Sequence, residues 1–175
     1  VVVFVFLYSL RINHPVDKKV MGTTTKETPT TVKYSIKPTI TSTPSPQPKK
    51  KSYSIVLIGD SMIDTMGENV DYLDKNLKER YPTTKFTLYN YGIGGQNVQQ
   101  GLDRFDSNFA YSTRNFPPIS QVHPDIIIVG SFAYNPFTPY DRDRHWTTLK
   151  QLIIKAEGVS SSVYILTEIA PLKEN

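Results

Sequence analysis

Three short stretches of this 175-residue chain carry groups that could act together on a carbonyl carbon. Ser61, in the stretch 59–62 (GDSM), could be a nucleophile beside helix N-terminal amides, or could cap that helix. The glycine-rich stretch 92–95 (GIGG) could bring a backbone amide to a ligand, or form only a tight turn. Asn135 could donate its side-chain amide to an oxyanion, or form an Asx turn ahead of a proline. Together these groups would suit nucleophilic attack by a serine, with stabilisation of the negative charge that develops.

Each of these stretches follows a predicted strand, and the strands before the first and third stretches are continuous apolar runs of the kind that is buried on both faces of a sheet. Segments with apolar residues at three- and four-residue spacing lie between the runs and predict helices. Because strands and helices alternate, we predict a three-layer α/β/α fold of the flavodoxin-like type, with a parallel sheet that is incomplete at the C-terminus. Ligands bind at the carboxyl ends of the strands in such sheets, so the three stretches should meet at one edge. The predicted strands are 55–58, 86–89, 126–129 and 163–169, and the predicted helices are 64–80, 98–105 and 146–156.

The order and placement of these groups resemble the SGNH hydrolases, also called GDSL esterases and lipases. The first block of that family, a strand followed by Gly-Asp-Ser, is matched by residues 58–61. The second block, a glycine after the second strand, is matched best by Gly95, with Gly94 as the alternative. The third block, a strand followed by glycine and then asparagine, is matched by Gly130 and Asn135. Four residues separate these two, however, and a proline replaces the usual aspartate.

The resemblance extends from the first predicted strand to the end of the chain and implies a serine hydrolase. Ser61 would attack an ester carbonyl and form an acyl-enzyme, which water then hydrolyses. The amides of Ser61 and Gly95 and the side chain of Asn135 would bind the oxyanion. Asp60 is expected to fix the turn and Asp64 to support the helix N-terminus, rather than either acting as a base. The resemblance implies no cofactor and no metal ion.

The base of that family is a histidine in a late Asp-x-x-His block, and no such block occurs in these 175 residues. His123 precedes the third predicted strand and should lie about 15 Å or more away, at the opposite end of the sheet. His145 is nearer the correct edge, but Arg142 stands three residues before it, where the block has aspartate. A place on the helix surface or against substrate is therefore favoured for His145 over a role as base. We expect that the catalytic His and Asp are not in this chain, and that the 175 residues alone have no esterase activity.

The first third of the chain differs in composition from the rest. Residues 1–53 carry 9 basic and 2 acidic side chains (net +7), and residues 54–175 carry 11 and 14 (net −3), which together give the net charge of +4. The apolar run 1–10 is too short to span a bilayer alone, which favours the end of a longer anchor or signal segment over a buried strand. We assign residues to three parts: 1–22 to this segment with its basic flank, 23–52 to a Thr/Pro/Lys-rich linker, and 53–175 to a partial SGNH hydrolase-like domain.

The composition also excludes several classes of function. The chain has no cysteine, which excludes disulfides, thiolate metal sites and cysteine nucleophiles. Three histidines (His14, His123 and His145) argue against a multi-histidine metal centre. The net charge of −3 over residues 54–175 argues against nucleic acid as a partner.

We therefore expect a membrane-anchored protein with an extracytoplasmic domain, or a secreted one, that deacylates surface carbohydrate or a similar O-acyl substrate. Its partners would be the ester substrate and, through the N-terminal anchor, a membrane. Aromatic residues around the third stretch suit stacking on sugar rings, although core packing would explain some of them equally: Phe132, Tyr134, Phe137, Tyr140 and Trp146. The alternatives are an O-acyltransferase on the same fold and a non-catalytic carbohydrate-binding module.

Overall fold

The computed structural model describes residues 48–167 of the chain. The predicted anchor, most of the predicted linker and the end of the last predicted strand lie outside the described residues. Within residues 48–167, no helix is both long enough and apolar enough to cross a membrane.

Strands and helices alternate along the described residues. In chain order they are β1 (Ser52–Gly59), α1 (Ser61–Asp64), α2 (Asp71–Arg80), β2 (Lys85–Gly92), α3 (Val98–Arg104), β3 (Phe109–Tyr111), β4 (Arg114–Phe116), α4 (Ile119–Val122), β5 (Ile126–Gly130), α5 (Arg142–Glu157) and β6 (Val163–Leu166). Strands β2, β1, β5 and β6 form one parallel sheet in that order, and β3 and β4 form a separate antiparallel hairpin. The parallel sheet with its flanking helices confirms the predicted three-layer α/β fold.

The sheet buries apolar side chains on both faces, which explains why its central strand reads as a continuous apolar run. On β1, Val56 and Ile58 belong to a cluster that includes residues of α3, α4 and α5. Ile55 and Leu57 point the other way, into a cluster that includes residues of α1 and α2. Because neighbouring side chains of a strand point to opposite faces, a strand covered on both sides needs apolar residues at every position.

The order of the strands brings three loops to one edge of the sheet. The chain passes from β1 to β2 on one side of β1 and later returns to β5 on the other side. The register pairs Gly59 of β1 with Gly92 of β2, and Ile58 of β1 with Val129 of β5. The loops that follow β1, β2 and β5 therefore begin at the same level, which confirms the predicted meeting of the three stretches.

Two local predictions differ from the structure. The helix predicted over 64–80 is wrong as a single helix, because α1 and α2 are separated by a turn in which Gly67 (φ +83°) and Val70 (φ +50°) adopt left-handed conformations. The side chain of Asn90 closes this turn by donating to the carbonyls of Ile63 (2.8 Å) and Gly67 (2.7 Å). The β3–β4 hairpin is not predicted from the sequence, since strands of three residues are too short to show a periodic pattern.

Candidate active site

The short helix α1 lies directly on the ends of β1 and β2. A Cβ atom added to Gly92 would lie 2.2 Å from the backbone nitrogen of Asp64, so no larger residue fits there. A Cβ atom added to Gly59 would lie 2.3 Å from Cγ1 of Ile63. Because both positions lack a side chain, α1 can approach the strand ends, and its first residue, Ser61, lies at the edge of the sheet.

Asp60, and not Ser61, caps α1. The Asp60 side chain is fully buried, and its Oδ1 accepts a hydrogen bond from the Met62 amide at 3.0 Å. The interpretation of Ser61 as a helix cap is therefore wrong, and the prediction that Asp60 fixes the turn is confirmed. The Ser61 hydroxyl takes no part in capping and faces the loop that follows β5.

The side chains of Ser61 and Asn135 meet although 74 residues separate them in the chain. Nδ2 of Asn135 lies 3.2 Å from Oγ of Ser61 and 3.0 Å from Oδ2 of Asp60, to which it donates. The Asn135 backbone amide donates to the Phe132 carbonyl (3.3 Å), which closes a turn over 132–135 and returns the chain toward α1. The structure thus brings together the two side chains that the sequence assigns to one edge.

The two adjacent glycines after β2 differ in what their amides contact. The Gly94 amide donates to Oδ2 of Asp64 at 3.1 Å. A Cβ atom added to Gly94 would lie 4.0 Å from Cβ of Ser61, so this loop borders the serine. Gly95 has a φ of +77°, and among residues 48–167 its amide has no hydrogen-bond acceptor. Of the two amides, that of Gly95 is therefore the one available to a ligand.

Asp64 lies in the first turn of α1, at a helix N-terminus as predicted, and because α1 has only four residues it is also the last residue of that helix. Its carboxylate joins the glycine loop to the β3–β4 hairpin. Oδ1 forms an ion pair with Nη2 of Arg114 at 2.6 Å, and Oδ2 accepts from the Tyr111 hydroxyl (3.4 Å) as well as from the Gly94 amide. Arg114 also donates to the Gly92 carbonyl at 3.4 Å, which fastens the hairpin to the end of β2.

The described histidines do not hydrogen-bond to the Ser61 hydroxyl. Nε2 of His145 lies 2.9 Å from the Ser131 carbonyl, to which it must donate, and Nδ1 is buried without a partner among the described residues. The ring packs edge-to-face on Phe137, with the two ring centroids 6.4 Å apart. His123 ends α4, just before β5, and lies at the opposite end of the sheet as predicted. The remaining histidine lies outside the described residues.

Sequence reasoning missed three residues that shape this edge, namely Arg104, Tyr111 and Arg114. Arg104 is only 7% exposed although arginine is rarely buried. One signal was available, because Val98, Gly101 and Arg104 recur every three residues on the buried face of α3. Tyr111 and Arg114 lie in the hairpin, for which the sequence carries no pattern.

Comparisons with known proteins show the fold. No family model and no curated protein sequence matches the chain. Similar solved structures include a catalytic mutant of Axe2, an acetylxylan esterase from Geobacillus stearothermophilus, at 17% identity and a TM-score of 0.50 over 63% of this chain and 57% of that one. Axe2 itself (18% identity, TM-score 0.48, with the same two coverages) and a gut microbial diltiazem-metabolizing enzyme also match. The latter has 17% identity and a TM-score of 0.47 over 74% of this chain and 31% of its own.

The chain spans 57% of the length of the Axe2 structures that it matches. At 17% identity and a TM-score of 0.50, the likeness to the Axe2 mutant shows the fold alone and leaves the chemistry to be argued from the site itself.

We predict that Asp60→Ala lowers the free energy of unfolding by about 2–3 kcal/mol, because it removes an N-cap and leaves the Asn135 amide without its buried acceptor. Asp141→Ala is the matched control, since Asp141 caps α5 by accepting from the Arg144 amide at an exposed position. That variant should lose about 1 kcal/mol. Urea denaturation measures both values. Equal losses would mean that Asp60 acts only as a helix cap and that its hydrogen bond to the Asn135 side chain adds nothing to stability.

Proposed function

We propose that this protein is a hydrolase of carboxylic esters of the SGNH type, with Ser61 as its nucleophile. The observation that carries the proposal is the contact between Oγ of Ser61 and Nδ2 of Asn135, 3.2 Å apart at the carboxyl edge of a parallel sheet. The unengaged amide of Gly95 follows a glycine that borders the same serine. A nucleophilic hydroxyl flanked by fixed N–H donors is the arrangement that acyl transfer requires.

The proposed reaction begins when Oγ of Ser61 attacks the ester carbonyl carbon and gives its proton to a base. Negative charge then develops on the carbonyl oxygen, and three N–H groups would bind it: the Asn135 side chain and the amides of Ser61 and Gly95. The Ser61 amide occupies the first position of α1, where a helix leaves its N–H without an intrahelical acceptor. Collapse of this intermediate expels the alcohol and leaves an acyl-enzyme, which water hydrolyses in the second half of the reaction.

The proposal requires a general base, and residues 48–167 do not supply one at Ser61. Within that range the hydroxyl contacts Asn135, and the ring of His145 is held on the Ser131 carbonyl. Asp60 already accepts hydrogen bonds from Met62 and Asn135. We propose that a histidine outside the described residues, oriented by a carboxylate, accepts the serine proton.

Acylated carbohydrate is the substrate class that we propose. Of the five aromatic residues around the third loop, Phe132 and Phe137 are buried and belong to the core. Tyr134, Tyr140 and Trp146 are 48%, 69% and 55% exposed, in the loop that carries Asn135 and at the start of α5. Exposed aromatic side chains in this loop and at the start of α5 suit stacking on sugar rings, and a protein with a similar fold is an acetylxylan esterase.

We also propose that the N-terminal region either anchors the protein in the cell membrane, with the domain on the outer side, or directs secretion of the protein. The support for this is the apolar run at residues 1–10 followed by a basic, Thr- and Pro-rich stretch. Fractionation of cells that express the gene should recover the protein in the membrane fraction or the medium, and recovery in the cytosol alone would contradict the proposal.

We predict that Ser61→Ala abolishes hydrolysis of an aryl acetate by the full-length protein and that Asn135→Ala lowers kcat by about 10²–10³-fold, because one oxyanion donor is lost. Asn76→Ala, at an exposed position on α2, is the control and should keep full activity. The assay includes a sugar acceptor, so that transfer of the acetyl group to the sugar would identify an acyltransferase. Full activity in Ser61→Ala would overturn the proposal, and binding of acylated sugar without turnover would identify a binding module.

We predict that Trp146→Ala raises KM for an acetylated oligosaccharide by about tenfold, which is the loss of about 1.4 kcal/mol of stacking, and leaves KM for a small aryl acetate unchanged. Tyr72→Ala is the control, because Tyr72 is 79% exposed on α2. Initial-rate kinetics on both substrates separate the two effects. An equal rise for both substrates would mean that Trp146 supports the fold and not a sugar site.

A further inference from the structure

Arg104 is buried beneath the glycine loop and is bound by neutral acceptors. Its guanidinium donates three hydrogen bonds, from Nη2 to the Gly59 carbonyl (2.8 Å), from Nη1 to the Tyr91 carbonyl (2.7 Å) and from Nε to Oε1 of Gln96 (2.7 Å). The guanidinium carbon also lies 5.6 Å from the centroid of the Phe109 ring. Among the described residues, no ion pair involves Arg104.

These three acceptors belong to the two backbone segments that carry the proposed catalytic groups. Gly59 is two residues before Ser61, and Gln96 directly follows Gly95. The Gly59 carbonyl accepts a second hydrogen bond from the Ile93 amide at 3.2 Å, so it ties the two segments together directly as well. A guanidinium is planar and rigid, so its three bonds hold both segments at fixed positions relative to one plane.

Such a residue is costly for the fold. Burial lowers the pKa of Arg104 to about 10, which still leaves the group protonated at neutral pH. The charge of Arg114 acts in the same direction, and that of Asp64 opposes it. Apolar side chains of similar volume often stabilise a protein as well as a buried charge does, so packing alone gives no reason for an arginine at this position.

We propose that Arg104 is a positioning residue, whose guanidinium sets the separation between the Ser61 nucleophile and the Gly95 amide. The proposal rests on the proposed ester hydrolysis at Ser61. Arg104 touches no reacting atom; it acts through the Gly59 carbonyl and the Gln96 side chain. A displacement of the Gly95 amide by about 1 Å would weaken its bond to the oxyanion in the transition state, while substrate binding through other groups would persist.

The test compares two variants of Arg104. Arg104→Lys keeps the positive charge but loses the planar guanidinium with its three donors, and Arg104→Met loses both the charge and the donors. Gln96→Met removes the loop acceptor alone and keeps Arg104 in place, so it remains informative if an Arg104 variant fails to fold. Arg80→Met, at the exposed end of α2, is the control. Two readouts are measured on the full-length protein: kcat and KM for an aryl acetate, and the hydrogen-exchange rate of the Ile93 amide relative to amides in the middle of β1.

We expect Arg104→Met and Gln96→Met to lower kcat by about 100-fold and 10-fold, with KM within twofold of the wild-type value. In both variants the Ile93 amide should exchange at least tenfold faster, while the β1 amides stay protected. Arg104→Lys should restore part of kcat, and Arg80→Met should match the wild type. Unchanged kcat in Gln96→Met, or faster exchange over the whole sheet in that variant, would overturn the positioning role. Wild-type activity that survives in Ser61→Ala would instead refute the proposed function, while the exchange rates would still report on Arg104.

Discussion

The close approach of α1 to the ends of β1 and β2 is the constraint on which the rest of this edge depends. At Gly92 an added side chain would collide with the backbone of α1, and a change of rotamer cannot relieve such a collision. Because α1 packs so closely against the strand ends, the carboxylate of Asp64, its last residue, reaches both the Gly94 amide and Arg114. One short helix therefore determines where the serine lies, how the glycine loop is held and where the hairpin attaches.

Four charged side chains surround this edge, and hydrogen bonds within the protein hold each of them. Asp64 and Arg114 form an ion pair, whereas Asp60 is held by amide donors and Arg104 by carbonyl and amide oxygens. Burying charges in this way costs stability unless every group is satisfied. For the proposed ester hydrolysis, such an arrangement would supply donors held in fixed positions, which is the main requirement for electrostatic stabilisation of a transition state.

The features that could be predicted from the sequence are those that depend on chain order alone. Apolar runs at 55–58 and 126–129 predict parallel strands, and parallel strands place Ser61 and Asn135 at the same edge. The sequence favours Gly95 over the adjacent Gly94 only through the family resemblance, because which of the two amides is left without an acceptor among the described residues depends on where Asp64 points. That direction depends on the break after α1, which the side chain of Asn90 stabilises from β2. Such tertiary contacts leave no periodic pattern in the chain.

In the loop that follows β5, the number of residues between Gly130 and Asn135 does not determine where the Asn135 side chain lies. The two residues are further apart than in the compact block of the SGNH pattern, yet the side-chain amide of Asn135 still donates to Asp60. Phe132 accounts for this, since it adopts a left-handed φ of +55° and is fully buried against α3, where a Cβ atom on Gly101 would lie 2.5 Å from its ring. The left-handed conformation costs about 1–2 kcal/mol, and burial of the ring contributes about 1.5–3 kcal/mol, so packing offsets the strain. The turn over 132–135 absorbs the additional residues, and the position of the amide is maintained by the core rather than by the length of the loop.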